Sequence, residues 1–219
     1  MLGGVDGVVT TFAVVAGSAG GRLSAAVVII LGLANLVADG FSMAVSNYLA
    51  TKSRLEQVIR SRHGEYWQIE NYPEGEREEI KQIFVRKGFE GETLDLVVDV
   101  VTRDRDVWVD TMMAEELRLS ETSARPLRAS IATFVAFSLC GFVPLVPFVL
   151  GLGPFETMFG ISTGLAAATF VALGVGKGLA LNLSPLRAGL QTLTIGGAAA
   201  ALAYAAGFGL HVLFGGAPG

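Results

Sequence analysis

The chain has 219 residues, of which 52% are hydrophobic and 16% are charged, with a formal net charge of −4 at pH 7. Soluble domains usually carry about a quarter charged residues, so this composition favours a membrane protein. The charge is also confined to one region, because 30 of the 36 charged side chains lie between Lys52 and Arg128. We therefore expect a polar block, residues 52–126, inserted into an otherwise apolar chain.

Several classes of function are disfavoured by what the sequence lacks. It has no Gly-x-x-x-x-Gly-Lys-Ser/Thr motif for a nucleotide and no basic, aromatic-interleaved patch for nucleic acid. Its single cysteine, Cys140, lies in an apolar stretch, so no disulfide can form within the chain and a packing role is expected. We expect neither nucleotide nor nucleic acid as a partner.

Five apolar stretches are long enough to cross a membrane, which takes about 20 residues in a helix. The first lacks a basic leading segment, so it is interpreted as a membrane helix and not as a cleaved signal peptide. The second is long enough to continue out of the bilayer as the first helix of the polar block. The five stretches are residues 2–21, 23–51, 129–155, 157–176 and the region from 188 onwards.

The placement of basic residues predicts the orientation of these spans. The region from Lys52 to Arg128 holds 13 of the 16 basic residues, and Lys177 and Arg187 lie between spans four and five. Only Arg22, between spans one and two, departs from the rule that basic loops face the cytoplasm. We expect the N-terminus inside, the C-terminus outside, residues 52–126 in the cytoplasm, and transmembrane helices in residues 1–51 and 127–219.

Small residues recur four apart in the first span, at Gly3 and Gly7 and again at Ala13, Gly17 and Gly21. Such spacing lets helices approach closely in a membrane. The spacing fits packing within the chain, which is favoured, and also fits an interface between subunits.

The polar block is expected to form a small bundle of three or four helices. The segment "PEGEREEIKQIFVRKG" begins with Pro73, carries acids early and ends at Gly88, which are signals for a helix. The segments "EGETLDLVVDVVTRD" and "DVWVDTMMAEELRLS" supply two more.

Several residues in this block could bind a divalent metal. Pairs of carboxylate, amide and thioether side chains recur three or four residues apart, so that they share a helix face. Carboxylates attract divalent cations, and added thioethers favour a transition metal over Mg²⁺ or Ca²⁺. Solvated surface acids and core methionines explain the same pattern, and spacing alone favours that explanation. The residues are Glu65, Gln68, Glu76, Glu79, Met112, Met113 and Glu116.

The second span carries a polar stripe at a period of four residues: Asn35, Asp39, Met43 and Asn47. Ionisable residues inside a membrane are costly and usually functional, although a hydrogen bond between helices is the alternative. Asp6 lies near the cytoplasmic end of the first span in the expected orientation, so Asp6 and Met43 could meet at a similar depth. Asn35 and Asp39 are candidates for a proton or metal path.

Three stretches resemble the vacuolar iron transporter family, including its nodulin-like members: "DGVVTTFAVVAG" (6–17), "LGLANLVADGFSMAVSNYLA" (31–50) and "WVDTMMAEEL" (108–117). The resemblance covers nearly the whole chain. It implies an all-α membrane protein with five transmembrane helices and a cytoplasmic helical metal-binding domain inserted between helices 2 and 3. It further implies export of Fe²⁺, and often Mn²⁺, from the cytoplasm in exchange for protons.

The resemblance also implies roles for individual residues. The family works as a homodimer with the path between subunits, and by position Asp6 and Met43 correspond to path residues. The same seven residues of the polar block correspond to its metal ligands. This chain departs from the family at two positions. Gln68 occupies a position where the family usually has Glu. Some members have an intramembrane acid at the position of Asn35 and none at that of Asp39, whereas this chain has Asn35 and Asp39. A prokaryotic inner membrane is favoured, with a vacuolar membrane as the alternative.

Two other functions are alternatives to a transporter. A membrane-bound di-iron ferroxidase would normally use Glu-x-x-His motifs, which this chain lacks; its two histidines are His63 and His211. A metal sensor that does not transport would not need the polar stripe. We therefore expect no enzyme activity and no cofactor beyond transported Fe²⁺ or Mn²⁺, with other divalent transition metals able to bind the polar block.

Overall fold

The computed structural model describes residues 2–119 and 125–214 of the chain, and all regular elements in these residues are helical. The prediction of an all-α protein is confirmed in this part of the chain. The helices are α1 Leu2–Gly20, α2 Ala25–Asn71, α3 Pro73–Arg86, α4 Gly91–Arg103, α5 Arg105–Glu115, α6 Pro126–Phe142, α7 Val146–Val149, α8 Phe155–Ala180 and α9 Pro185–Phe214.

The chain divides into two compact units. The first, called the apolar unit, comprises Met1–Tyr48 and Leu127–Gly219, and the second, called the polar unit, comprises Leu49–Pro126. Helix α2 supplies residues to both units, as expected from the length of the second apolar stretch.

Four helical segments in the described residues are long and apolar enough to cross a membrane. They overlap with the predicted spans two to five and comprise Ala25–Asn71, Pro126–Val149, Phe155–Ala180 and Pro185–Phe214. Helix α1, with 19 residues and one acid, is not among them. The structure therefore supports a multi-pass membrane protein, and the count of five spans stays a prediction.

The third span ends earlier than the sequence predicted. Helix α6 stops at Phe142, and a 3₁₀ turn and α7 carry the chain to Val149. Pro144 and Pro147 cause this change, because proline has no N–H to donate to a helix. Gly151, at φ 62°, and Gly153, at φ 109°, then turn the chain, so Phe155 begins α8 and does not end the third span.

Helix α1 packs closely against its neighbours in the apolar unit. Its side chains Val8 and Val15 are fully buried. A Cβ on Gly3 would lie 2.7 Å from the carbonyl oxygen of Thr133 on α6, and one on Gly7 would overlap the main chain of Phe137. Three of the small residues at the predicted spacing, Gly3, Gly7 and Gly17, thus pack within the chain.

The polar unit has its own core around Ile80, Val109 and Met112, all fully buried. Helix α3 begins with Pro73 in its first turn, as the sequence predicted. Helix α5 is fixed by Asp104, whose carboxylate accepts hydrogen bonds from the backbone N–H of Asp106 at 2.9 Å and of Val107 at 3.2 Å. This helix ends at Glu115, five residues short of the predicted end at Ser120, which lies outside the described residues.

We predict that Gly207→Ala destabilises the protein whereas Gly209→Ala does not. A Cβ on Gly207 would overlap the carbonyl oxygen of Gly17, which belongs to the main chain of α1 and cannot rotate away, while Gly209 has open space around it. Overpacking of this kind costs about 1–3 kcal/mol, and alanine in an open helical position is neutral or favourable. Thermal unfolding of the purified protein in detergent measures the difference. Equal unfolding temperatures for the two variants would contradict this packing.

Candidate functional site

Four glutamates from three segments of the polar unit lie near one another. Glu65 is on α2, Glu76 and Glu79 are on α3, and Glu116 directly follows α5. Glu65 and Glu76 are almost completely buried, at 5% and 4% exposure, whereas Glu79 and Glu116 are exposed. The group therefore has a buried side and a side open to solvent.

The two buried carboxylates are not satisfied within the described residues. Neither Glu65 Oε2 nor Glu76 Oε2 has a hydrogen-bond partner. Buried polar atoms are nearly always hydrogen-bonded in proteins, so each such atom calls for an explanation. Buried carboxylate oxygens without hydrogen-bond donors are suitable ligands for a divalent cation.

Burial and mutual repulsion raise the pKa of three of these acids. For Glu65, loss of hydration is the largest cause, followed by the charges of Glu116, Glu76 and Glu79, and together they raise its pKa to about 7. The pKa of Glu76 is raised by burial and then by Glu79 and Glu116. Such shifts show that negative charge is held here at a cost, and a metal ion would remove that cost.

Glu116 lies close to Glu79, and a hydrogen bond joins their side chains. Burial, followed by the charge of Glu79 and this bond, raises the pKa of Glu116. Metal ligands must be deprotonated, so the raised pKa of Glu116 makes metal binding by this residue depend on pH.

Nearby basic side chains pair with other acids. The ion pairs join Arg62 to Asp110 at 2.5 Å, Lys87 to Glu115 at 2.5 Å, Arg105 to Glu70 at 3.1 Å, and Arg77 to Asp99. Within the described residues, none of the four clustered glutamates forms an ion pair. The cluster keeps its negative charge available.

The other three predicted ligands of the polar unit are placed differently. Met112 and Met113 are buried, at 0% and 3% exposure, in the core beside the cluster, which fits core packing as well as metal binding. Gln68 lies one turn after Glu65 and is exposed. No three His, Cys, Asp or Glu side chains in the described residues are already arranged as a complete metal site. The ligand assignments stay predictions.

A second group of polar residues lines a cavity of about 210 Å³ in the apolar unit. Asp6 of α1 faces it, together with Asp39 and Met43 of α2. The structure thus brings the two predicted path residues to one place. Ser42 and Ser46 also line this cavity. They were missed in the sequence, although their spacing of four residues beside the stripe is a signal for a shared face.

The two asparagines of the stripe make structural hydrogen bonds. Asn35 Nδ2 donates to Asp39 Oδ2 at 3.1 Å, one turn further along α2. Asn47 Nδ2 donates to Thr133 Oγ1 on α6 at 2.8 Å, which is the contact between helices considered as the alternative for this stripe. The two central residues of the stripe, Asp39 and Met43, line the cavity.

Comparison with known proteins identifies the family. A model of the VIT family matches residues 1–208 of this chain. The chain belongs to the VIT family. The resemblance found in the sequence is thereby confirmed.

Curated relatives agree with this membership. The vacuolar iron transporter of Toxoplasma gondii is 33% identical over 98% of this chain and 74% of its own length. Vacuolar iron transporter 1 of Arabidopsis thaliana is 31% identical over 93% of this chain and 82% of its own length. The vacuolar iron transporter of Plasmodium falciparum is 29% identical over 90% of this chain and 75% of its own length. These VIT-family relatives are named as transporters, in agreement with the expectation that this chain is not an enzyme.

We predict that the metal-free protein becomes less stable as pH rises from about 4.5 to about 7. Glu65 has its pKa raised from 4.5 to about 7 in the folded state. The folded state therefore binds more protons than the unfolded state in this window, and stability falls with rising pH. Unfolding temperatures measured with a chelator at pH 5 and pH 7.5 test this.

Glu65→Gln should reduce this pH dependence, because a neutral amide mimics the protonated acid. Glu78→Gln is the matched control, since Glu78 is an exposed acid on α3 and is not part of the cluster. A parent protein that gains stability between pH 5 and pH 7.5, or a Glu65→Gln variant with the parent's slope, would contradict the prediction.

Proposed function

We propose that this VIT-family protein transports Fe²⁺ out of the cytoplasm in exchange for protons, with Mn²⁺ as a second substrate. The names of the relatives support iron as the metal. The observation that carries the proposal is the shared cavity of Asp6, Asp39 and Met43. Two carboxylates and a thioether at one point on α1 and α2 provide a transient binding site for a divalent transition metal.

The chemistry of this ligand set favours a transition metal. Carboxylate oxygens alone bind Mg²⁺ and Ca²⁺, whereas a thioether adds a soft ligand that those ions do not use. Met43 is therefore the residue proposed to discriminate among metals. We propose no resident cofactor, and the polar unit would hold Fe²⁺, Mn²⁺ or other divalent transition metals before transport.

The polar unit would collect metal on the cytoplasmic side. Within the described residues its clustered glutamates form no ion pair, so their negative charge would raise the local concentration of cations. Glu65, Glu76, Glu79 and Glu116 are the proposed carboxylate ligands. Met112 and Met113 are the proposed thioether ligands, and Gln68 would contribute a neutral amide oxygen.

Protons would drive release. A proton that enters the cavity from the far side neutralises a carboxylate, so the metal loses a ligand and leaves. Asp6 and Asp39 are both candidates for this step because they line the same cavity. Exchange follows if one carboxyl group alternates between the metal and the proton.

A homodimer would complete the path. Asp39 is exposed on α2, within a candidate membrane span. A carboxylate facing lipid is costly, whereas a second copy that covers this face of α2 would enclose the cavity. The membrane proposed is a prokaryotic inner membrane, with a vacuolar membrane as the alternative.

Transport by purified protein in liposomes tests the proposal. Under an imposed pH gradient, the parent should take up Fe²⁺ and Mn²⁺, and Asp6→Asn should lose about tenfold or more of the rate, since a lost charge–metal contact is worth at least ~1.4 kcal/mol. Thr194→Ala is the control, because Thr194 is exposed on α9 and does not line the cavity.

Two outcomes would count against this mechanism. Full, gradient-dependent uptake by Asp6→Asn would move the path away from α1. Oxygen consumption on addition of Fe²⁺ to a parent that takes up no metal would favour the ferroxidase alternative.

We further predict that Met43→Leu lowers selectivity without abolishing transport. Leucine has nearly the same volume as methionine but no sulfur, so the cavity keeps its shape and both carboxylates. The ratio of Fe²⁺ to Mg²⁺ uptake should fall by about tenfold, the equivalent of ~1.4 kcal/mol. An unchanged ratio would show that Met43 packs in the cavity and does not bind the metal.

A further inference from the structure

A second and larger cavity lies in the apolar unit, away from the residues assigned to transport. Its volume is about 750 Å³. Its walls come from the end of α1, the start of α2, the start of α8 and one residue of α9. The side chains that matter to its chemistry are Arg22, Ser24, Phe155, Glu156, Phe159 and Tyr204.

Arg22 occupies an unusual backbone position at this cavity. It lies in the turn after α1 with φ 53°, in the left-handed region where glycine is the usual residue. Its N–H donates to Ala19 O at 3.1 Å, and the next N–H, of Leu23, donates to Ser18 O at 2.9 Å. The chain accepts the strain of an arginine here although two glycines directly precede it.

Helix dipoles explain each charge separately. Glu156 is in the first turn of α8 and Arg22 follows the end of α1, and both placements are favourable. Dipoles do not explain why the two opposite charges line one cavity without pairing. In the described residues Arg22 and Glu156 form no ion pair, with each other or with any other group.

The remaining walls combine aromatic rings and a hydroxyl group with the apolar side chains of Ala19, Leu23, Ala25 and Met158. Phe155 is held against Phe148 by an edge-to-face contact with ring centroids 5.5 Å apart. Phe159 and the partly exposed Tyr204 add two more rings, and Ser24 adds a hydroxyl. Aromatic faces attract ammonium groups, and arginine binds phosphate through two parallel hydrogen bonds.

We propose that this cavity binds the headgroup of a zwitterionic phospholipid, with the phosphate at Arg22 and the ammonium at Glu156 and the aromatic rings. Ala25, Phe155 and Glu156 lie at the starts of two candidate spans, where headgroups and aromatic side chains meet in a membrane. A free phosphate would satisfy Arg22 alone, whereas a headgroup also uses Glu156. The proposal is independent of which metal the protein carries.

Lipid binding can be measured by native mass spectrometry of the full-length protein in detergent. The protein is titrated separately with phosphatidylethanolamine, phosphatidylglycerol and inorganic phosphate. The parent should bind phosphatidylethanolamine about tenfold more tightly than phosphatidylglycerol, which has the phosphate but no ammonium. Arg22→Gly and Glu156→Gln should each weaken phosphatidylethanolamine binding by about tenfold. Lys177→Gln, which removes a basic residue at the end of α8 that does not line the cavity, should bind like the parent.

The Arg22→Gly variant separates binding from folding. Glycine relieves the left-handed backbone, so in lipid-free detergent this variant should unfold at the parent's temperature or above while it loses the lipid. Parent-like phosphatidylethanolamine binding by Arg22→Gly and Glu156→Gln would overturn the proposal. Equal affinity of the parent for the two lipids would also overturn it, as would saturation by inorganic phosphate without lipid binding, which would assign the cavity to a soluble anion.

Discussion

A carboxylate removed from water needs a cation or hydrogen-bond donors. In the described residues of the polar unit, Glu65 and Glu76 have no basic partner, and one buried oxygen of each has no donor. Their Oε2 atoms lack donors in the described residues, while the neighbouring arginines and lysine pair with other acids. The surrounding core holds α2, α3 and α5 in place, so the acids cannot move apart cheaply. Protons on the carboxyl groups relieve this repulsion at low pH, and a divalent metal would relieve it at neutral pH.

Repulsion between carboxylates is weaker in the cavity lined by Asp6, Asp39 and Met43, because it holds fewer acids. Two acids, Asp6 and Asp39, line it beside Met43, and Asn35 already donates to Asp39. A site through which an ion passes must bind well enough to admit it and weakly enough to release it. Under the proposed mechanism, the smaller number of charges in this cavity, one of them already hydrogen-bonded, would suit passage, whereas the four acids of the polar unit would suit capture.

Most helices could be predicted from the sequence because their signals are local. Apolar length gave spans two to five, and Pro73 and Gly88 bracketed α3. The early end of the third span depends on Pro144 and Pro147. The continuous apolar run around these two prolines predicted a longer helix than the chain forms. The sequence could pair Glu76 with Glu79 on one helix face, but not with Glu65 or Glu116, because those contacts bring separate helices together. The family resemblance supplied that grouping, and it supplied no hint of Ser42, Ser46 or the cavity at Arg22.

Helices α1 and α2, which both line the cavity of Asp6, Asp39 and Met43, are packed in different ways. Close main-chain contacts at Gly3 and Gly7 join α1 to α6, and the contact of Gly17 with Gly207 joins it to α9. Helix α2 meets its neighbours in the apolar unit through side chains, such as the rings of Phe134 and Phe137 against Gly40. Side chains can change rotamer, whereas interlocked main chains must separate as rigid bodies. A rearrangement at this cavity therefore costs less if α2 moves and Asp39 and Met43 shift relative to a fixed Asp6.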